Sequence, residues 1–151
     1  MLPNMLLEKG EVEMVGVYPK YMSPQYDVMD GLYLTRKVVA IRAFHQARGI
    51  DDVWRKVWSL DKGRYLLRIY GHFLGHRGQT CVVSPCYAQT ADIYAKEASG
   101  LNRISLLLCV AEGIKILHSL NITHGWIRAS NIFLTDDRRP LLKLRTQRFG
   151  I

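Results

Sequence analysis

Ile104, Leu107, Leu108, Ala111, Ile114 and Leu117 recur at helical spacing and predict one long amphipathic helix over residues 102–119. That helix constrains the chain more than any other segment, because what precedes and follows it is strand-like. Asn102 or Ser99 can cap its start, and Ser119 to Asn121 supplies polar residues where it should stop. Beyond it lies the loop His124-Gly125-Trp126-Ile127-Arg128-Ala129-Ser130-Asn131. Ile132-Phe133-Leu134 then reads as a short strand, Asp136 to Pro140 as a turn, and Leu141 to Leu144 as a second strand.

The first half is strand-rich. Val38 to Arg42, Tyr65 to Gly71 and Thr80 to Ser84 read as strands. The last two are joined by a loop from His72 to Gln79 that contains Gly and His. Asp51 to Trp58 reads as a helix, with Trp54 and Trp58 forming a packing face. Pro85-Cys86-Tyr87 reads as a hinge and Ala91 to Ser99 as a short helix. Residues 1–30 are unassigned, but their Tyr and Met content suggests packed strands rather than a linker. The expected class is α+β.

At 151 residues, 48% hydrophobic and 23% charged, the chain is long and apolar enough for a globular core. No apolar run reaches the ~18–20 residues of a membrane span. Three cysteines, Cys81, Cys86 and Cys109, form no metal pattern and cannot all pair, which points to a reducing, cytoplasmic setting. His72 and His76 lack a third ligand nearby, so no metal site is expected. The net charge of +8 admits a nucleic-acid or lipid-surface binder as an outside reading. The basic residues are scattered, and no helix-turn-helix, zinc or RNA-recognition signature accompanies them, so nucleic acid is disfavoured.

The loop has the frame of a protein-kinase catalytic loop, H-R-D-L-x-x-x-N. His124 and Asn131 sit at its two ends and Ile127 takes the Leu place. Gly125 replaces the Arg, and Trp126 replaces the Asp that accepts the substrate proton. An indole accepts no proton at neutral pH. Val38-Val39-Ala40-Ile41-Arg42 resembles V-A-I-K, with Arg42 in the Lys place. The helix after it contains no Glu; Asp51 or Asp52 is the nearest substitute partner for Arg42. No G-x-G-x-x-G precedes Arg42. Near the end, Phe149-Gly150 resembles D-F-G with Arg148 in the Asp place; aligning on Lys143-Leu144 puts Thr146 there instead. Neither residue is acidic.

These strings in this order resemble a kinase domain of the tyrosine-kinase-like group. Within it, His124, Gly125, Ile127, Arg128, Ser130 and Asn131 resemble the loop of the mixed lineage kinase domain-like pseudokinases. The resemblance runs from about residue 30 to the end. It implies a truncated kinase-like domain over 31–151: an antiparallel-sheet small lobe with one helix to about residue 87, then the first part of a helical large lobe over 88–151. Neither the amino-terminal helical bundle of those pseudokinases nor the rest of the large lobe is expected.

The function implied is a catalytically inactive protein-binding module, with a related kinase as partner and His124, Trp126, Arg128 and Asn131 as degenerate catalytic positions. The expected interface is Ile104, Leu107, Leu108, Ile114 and Leu117, whose covering helices would be missing, so self-association is also expected. The runner-up is a weak ATP binder that uses Arg42, Asn131 and Arg148 without magnesium. A cation at Arg148 would oppose a divalent ion.

Overall fold

The computed structural model describes residues 4–45 and 52–144. It is α+β and divides into two compact units, Met1–Ile50 with Arg68–Cys86, and Asp51–Leu67 with Tyr87–Ile151.

The first unit is an antiparallel sheet. Its strands are β1 (Val12–Val15), β2 (Tyr21–Met22), β3 (Tyr26–Tyr33), β4 (Lys37–Phe44), β5 (Gly71–Leu74) and β6 (Thr80–Pro85). The order is β1-β3-β4-β6-β5, with β2 also pairing β3. Residues 12–30, unassigned from the sequence, therefore supply β1, β2 and part of β3. Met5 and Leu7 hydrogen-bond beside β5: Leu7 N–H donates to the His72 carbonyl and His72 N–H to the Met5 carbonyl, both at 2.8 Å. The core is Val39, Ile41, Cys81 and Val83, all fully buried, with Val12, Met29 and Phe73 around it. Alternation puts Val39 and Ile41 on one face of β4. Gly31 is required beneath them, because a Cβ there would stand 2.5 Å from Ile41 Cδ1 and 2.9 Å from the Glu13 carbonyl oxygen.

Burial pushes the Cys81 thiol up to about 11. The thiolate is the reactive species, so at about pH 8 only about one Cys81 in a thousand is ionised. Cys81 should therefore escape a thiol reagent added to the native chain and react fully in denaturant. Modification of Cys81 at the rate of half-buried Cys86 and Cys109, followed by peptide mass spectrometry, would contradict this core assignment.

The strand expected over Tyr65–Gly71 begins only at Gly71. Tyr70 N–H still donates to the Val83 carbonyl of β6 at 2.8 Å, but earlier residues partner elsewhere: Leu67 N–H donates to the Leu142 carbonyl and Leu142 N–H to the Tyr65 carbonyl, both at 2.9 Å. A run rich in aliphatic and aromatic residues suggests extended backbone, but its partner is a tertiary matter.

The second unit holds α1 (Asp52–Asp61), α2 (Ala91–Tyr94), α3 (Gly100–Ser119) and a three-stranded sheet, β7 (Gln89–Thr90), β8 (Ile132–Leu134) and β9 (Pro140–Leu142), in the order β7-β8-β9. Helix α1, expected with the small-lobe sheet, groups with this second unit, where it packs on α3. Trp54, Val57 and Trp58 are buried, and the two indoles lie 5.1 Å apart. The short helix expected over Ala91–Ser99 is one turn, and the strand expected over Leu141–Leu144 is Pro140–Leu142.

Helix α3 begins as expected, with the Ser99 side chain accepting from Asn102 N–H. It stops at Leu120, where Asn121 takes a left-handed φ of 58° and Ile122 N–H returns to the Leu117 carbonyl at 2.9 Å. Its predicted single stripe divides. Leu117 is buried and Ile114 half-buried, whereas Ile104, Leu107 and Leu108 are 58%, 62% and 63% exposed. The buried face is Val110, Gly113 and Leu117, and Gly113 lets Leu66 and Tyr65 approach closely. The helix is apolar nearly all round, so periodicity alone could not choose the inner face. Leu117 thus leaves the expected interface and joins the core. Among the described residues, no helix is long and apolar enough to cross a membrane.

Candidate functional site

The loop between α3 and β8 is braced from both ends. Its backbone turns at Gly125, which has a left-handed φ of 71°. Trp126 N–H donates to His124 Nδ1 at 3.2 Å, which leaves the ring proton on Nε2 to donate to the Lys143 carbonyl at 2.7 Å. At the other end, Asn131 Nδ2 donates to the Trp126 carbonyl at 3.0 Å. Lys143 N–H donates to the Asn131 carbonyl at 2.7 Å. His124 and Asn131 are both buried. The backbone of Trp126 is therefore held on both its amide and carbonyl sides, and Lys143 ties the loop to the strand after it.

Between those braces the loop faces outward. Residues 125–130 are all exposed. The Arg128 guanidinium stacks over the Trp126 ring, 4.3 Å from its centroid. The exposed part of the loop thus carries an indole with a cation against it. From Ile122 to Asn131 the loop contains no acidic residue at all. With its amide nitrogen given to the Trp126 carbonyl, Asn131 acts as a brace.

Arg42 lies in the first unit, in β4, opposite Val28 on β3 and Val82 on β6. It is buried, and burial holds its guanidinium below the usual arginine range. Among the described residues no carboxylate forms an ion pair with it. Of its two expected partners, Asp52 lies 3.9 Å from Arg55 within α1, and Asp51 lies outside the described residues. Thr146, Arg148 and the Phe149-Gly150 pair also lie outside them.

The structure therefore brings His124, Trp126, Arg128 and Asn131 into one loop, with the exposed face of α3 in the same unit. Two contributors escaped the sequence reading. Lys143 acts through its backbone, which no side-chain pattern reveals. Asp61 ends α1 as a buried carboxylate accepting from Tyr65 N–H at 2.9 Å and Leu66 N–H at 3.0 Å. An Asp placed just before the Lys62-Gly63 turn was the available signal. Among the described residues, no group of three His, Cys, Asp or Glu side chains could hold a metal ion.

No family model matches this chain. It is 21% identical over 119 residues to the probable serine/threonine-protein kinase zyg-1 of Caenorhabditis elegans, a match covering 75% of this chain and 17% of that protein. The chain thus spans about a sixth of the relative's length. This is a distant likeness to a protein kinase. The antiparallel sheet of the first unit is compatible with the small lobe of such an enzyme.

Proposed function

We propose that this chain is a kinase-like module that binds protein instead of transferring phosphate, in the manner of the pseudokinases its loop resembles. The observation that carries the reading is Trp126, stacked by Arg128, in the place of the catalytic carboxylate. A general base contributes typically ~10²–10⁴-fold to rate, and here no side chain of the loop can take a proton from a hydroxyl. His124 has both ring nitrogens engaged in bracing the loop. The binding surface is the exposed part of α3, Ile104, Leu107 and Leu108, and the partner in this reading is another kinase-like domain in a cytoplasmic signalling setting.

The test is incubation of the purified chain with radiolabelled ATP, magnesium and a generic protein substrate. Neither the chain nor the substrate should take up label. Labelling that disappears in Asn131→Ala would sink the reading.

A second reading, ATP binding without magnesium, draws support from Arg42, a buried cation with no carboxylate partner among the described residues. It requires a thermal shift with ATP that magnesium does not enlarge and that Arg42→Ala abolishes.

A further inference from the structure

Just past β4 stands a histidine whose two ring nitrogens both face acceptors. His45 Nδ1 lies 3.2 Å from the Pro24 carbonyl oxygen, and Nε2 lies 3.2 Å from Asp27 Oδ1. The backbone brings these groups together. His45 N–H donates to the Gln25 carbonyl at 3.0 Å, one step beyond the Tyr26–Phe44 pair that ends the β3–β4 ladder. The turn from Ser23 to Tyr26 is closed on itself: the Ser23 hydroxyl donates to the Tyr26 carbonyl at 2.8 Å and accepts from Tyr26 N–H at 3.1 Å. A neutral imidazole carries one N–H and cannot donate to both Pro24 and Asp27, whereas an imidazolium donates to both. Histidine makes that change between about pH 5 and 8. Both side chains are partly exposed, so the proton exchanges with water.

The other charges around the ring are engaged elsewhere or stand apart. Among the described residues Asp27 has no second cation. Asp30, on the opposite face of β3, pairs with Lys20 at 3.4 Å. Tyr26 and Arg42 also lie on that opposite face. β2 sets Met22 beside Asp27 and turns Tyr21 toward Val28. On β6, Cys81 stands opposite Ala43, and the loop before it carries His76 and Arg77 to this end of the sheet. Neither has an ion pair among the described residues.

We propose that His45 is a proton-operated clip on the turn from Ser23 to Tyr26. When protonated, the ring donates from Nε2 to Asp27 and from Nδ1 to the Pro24 carbonyl. When it releases one proton to water, the other stays where the acceptor is charged, because a hydrogen bond to an ion is about twice as strong as a neutral one. The ring then keeps Asp27 and turns a lone pair toward the Pro24 carbonyl, where two acceptors repel. The clip opens on the turn side alone. His45 is also the last described residue of the first unit before the chain passes, at Ile50 and Asp51, into the second. Its hold on the turn sets how firmly that point of the chain is fastened to the sheet.

Amide exchange and ring-nitrogen shifts, both read by NMR on the full chain, test the clip. Between about pH 5.5 and about pH 8, protection of the His45 and Tyr26 amides, corrected for intrinsic exchange, should fall roughly two- to fivefold, the effect of one hydrogen bond at a partly exposed site. Ile41, in the middle of β4, should keep its protection. At the higher pH the ring-nitrogen shifts should place the remaining proton on Nε2. Asp27→Asn should do the reverse. Its side-chain amide can donate to Nε2, so a neutral ring keeps its proton on Nδ1 for Pro24, and protection stays high at both pH values. His45→Ala should be poorly protected at both. Equal protection of the unmodified chain at the two pH values overturns the proposal, as does a proton on Nδ1 of that chain at the higher pH. The same fall in Asp27→Asn overturns it by removing the carboxylate's part. A fall that Ile41 shares overturns it as well, because the loss is then global.

Discussion

His124→Ala should lower the stability of the chain by about 2–5 kcal/mol. The imidazole is buried and makes two hydrogen bonds to backbone, one accepted from Trp126 N–H and one donated to the Lys143 carbonyl. Alanine leaves both backbone groups without that partner, at ~1–3 kcal/mol each. The loss is a large part of the ~5–15 kcal/mol by which a domain is stable. In thermal melts, about 2–4 °C per kcal/mol at this chain length translates to a fall of roughly 4–20 °C. The same change should free Trp126, which shows as stronger quenching of its fluorescence by iodide; Trp54 and Trp58 are buried and contribute little. His118→Ala, at an exposed position of α3, is the control and should leave the melt unchanged. A drop below about 1 kcal/mol for His124→Ala would mean that the loop is not held by this ring.

Asp61→Ala is expected to be as damaging, by about 2–5 kcal/mol, for a related reason. Its carboxylate is 3% exposed and accepts from the amides of Tyr65 and Leu66. Those two residues lead into the stretch that hydrogen-bonds beside Leu142, and Leu66 is fully buried. Without the carboxylate, two backbone donors at a buried turn lose their acceptor, and hydrogen bonds to a charged group are the stronger kind. Asp61→Asn keeps one acceptor oxygen and should cost less than alanine. Urea unfolding curves of the two variants measure the difference. Equal, small losses for both would show that the turn closes without Asp61.

Part of this architecture was legible along the chain because local rules decide it. Strands β4 and β6 carry apolar runs, Val38 to Ile41 and Cys81 to Val83, and Ser99 before α3 and Asn121 after it mark that helix's ends by capping chemistry that acts within a few residues. The loop was visible as a spacing of residue types, His124 to Asn131, before any geometry. Edge strands were harder. β1 and β2 are short and mostly exposed, so their composition carries little periodic signal.

The sequence by itself determined which residues occupy the loop, and so that an indole and not a carboxylate stands at position 126. It also determined that α3 is apolar enough to bury more than one face. Only the tertiary structure decided which face that is. Gly113 admits Leu66 and Tyr65 against the helix, which turns Val110 and Leu117 inward and leaves Ile104, Leu107 and Leu108 at the surface. The same holds for the loop's braces, because the partner of His124 is a backbone carbonyl 19 residues away. Every residue carries such a carbonyl, so nothing in a side-chain pattern distinguishes Lys143 as the one that is used.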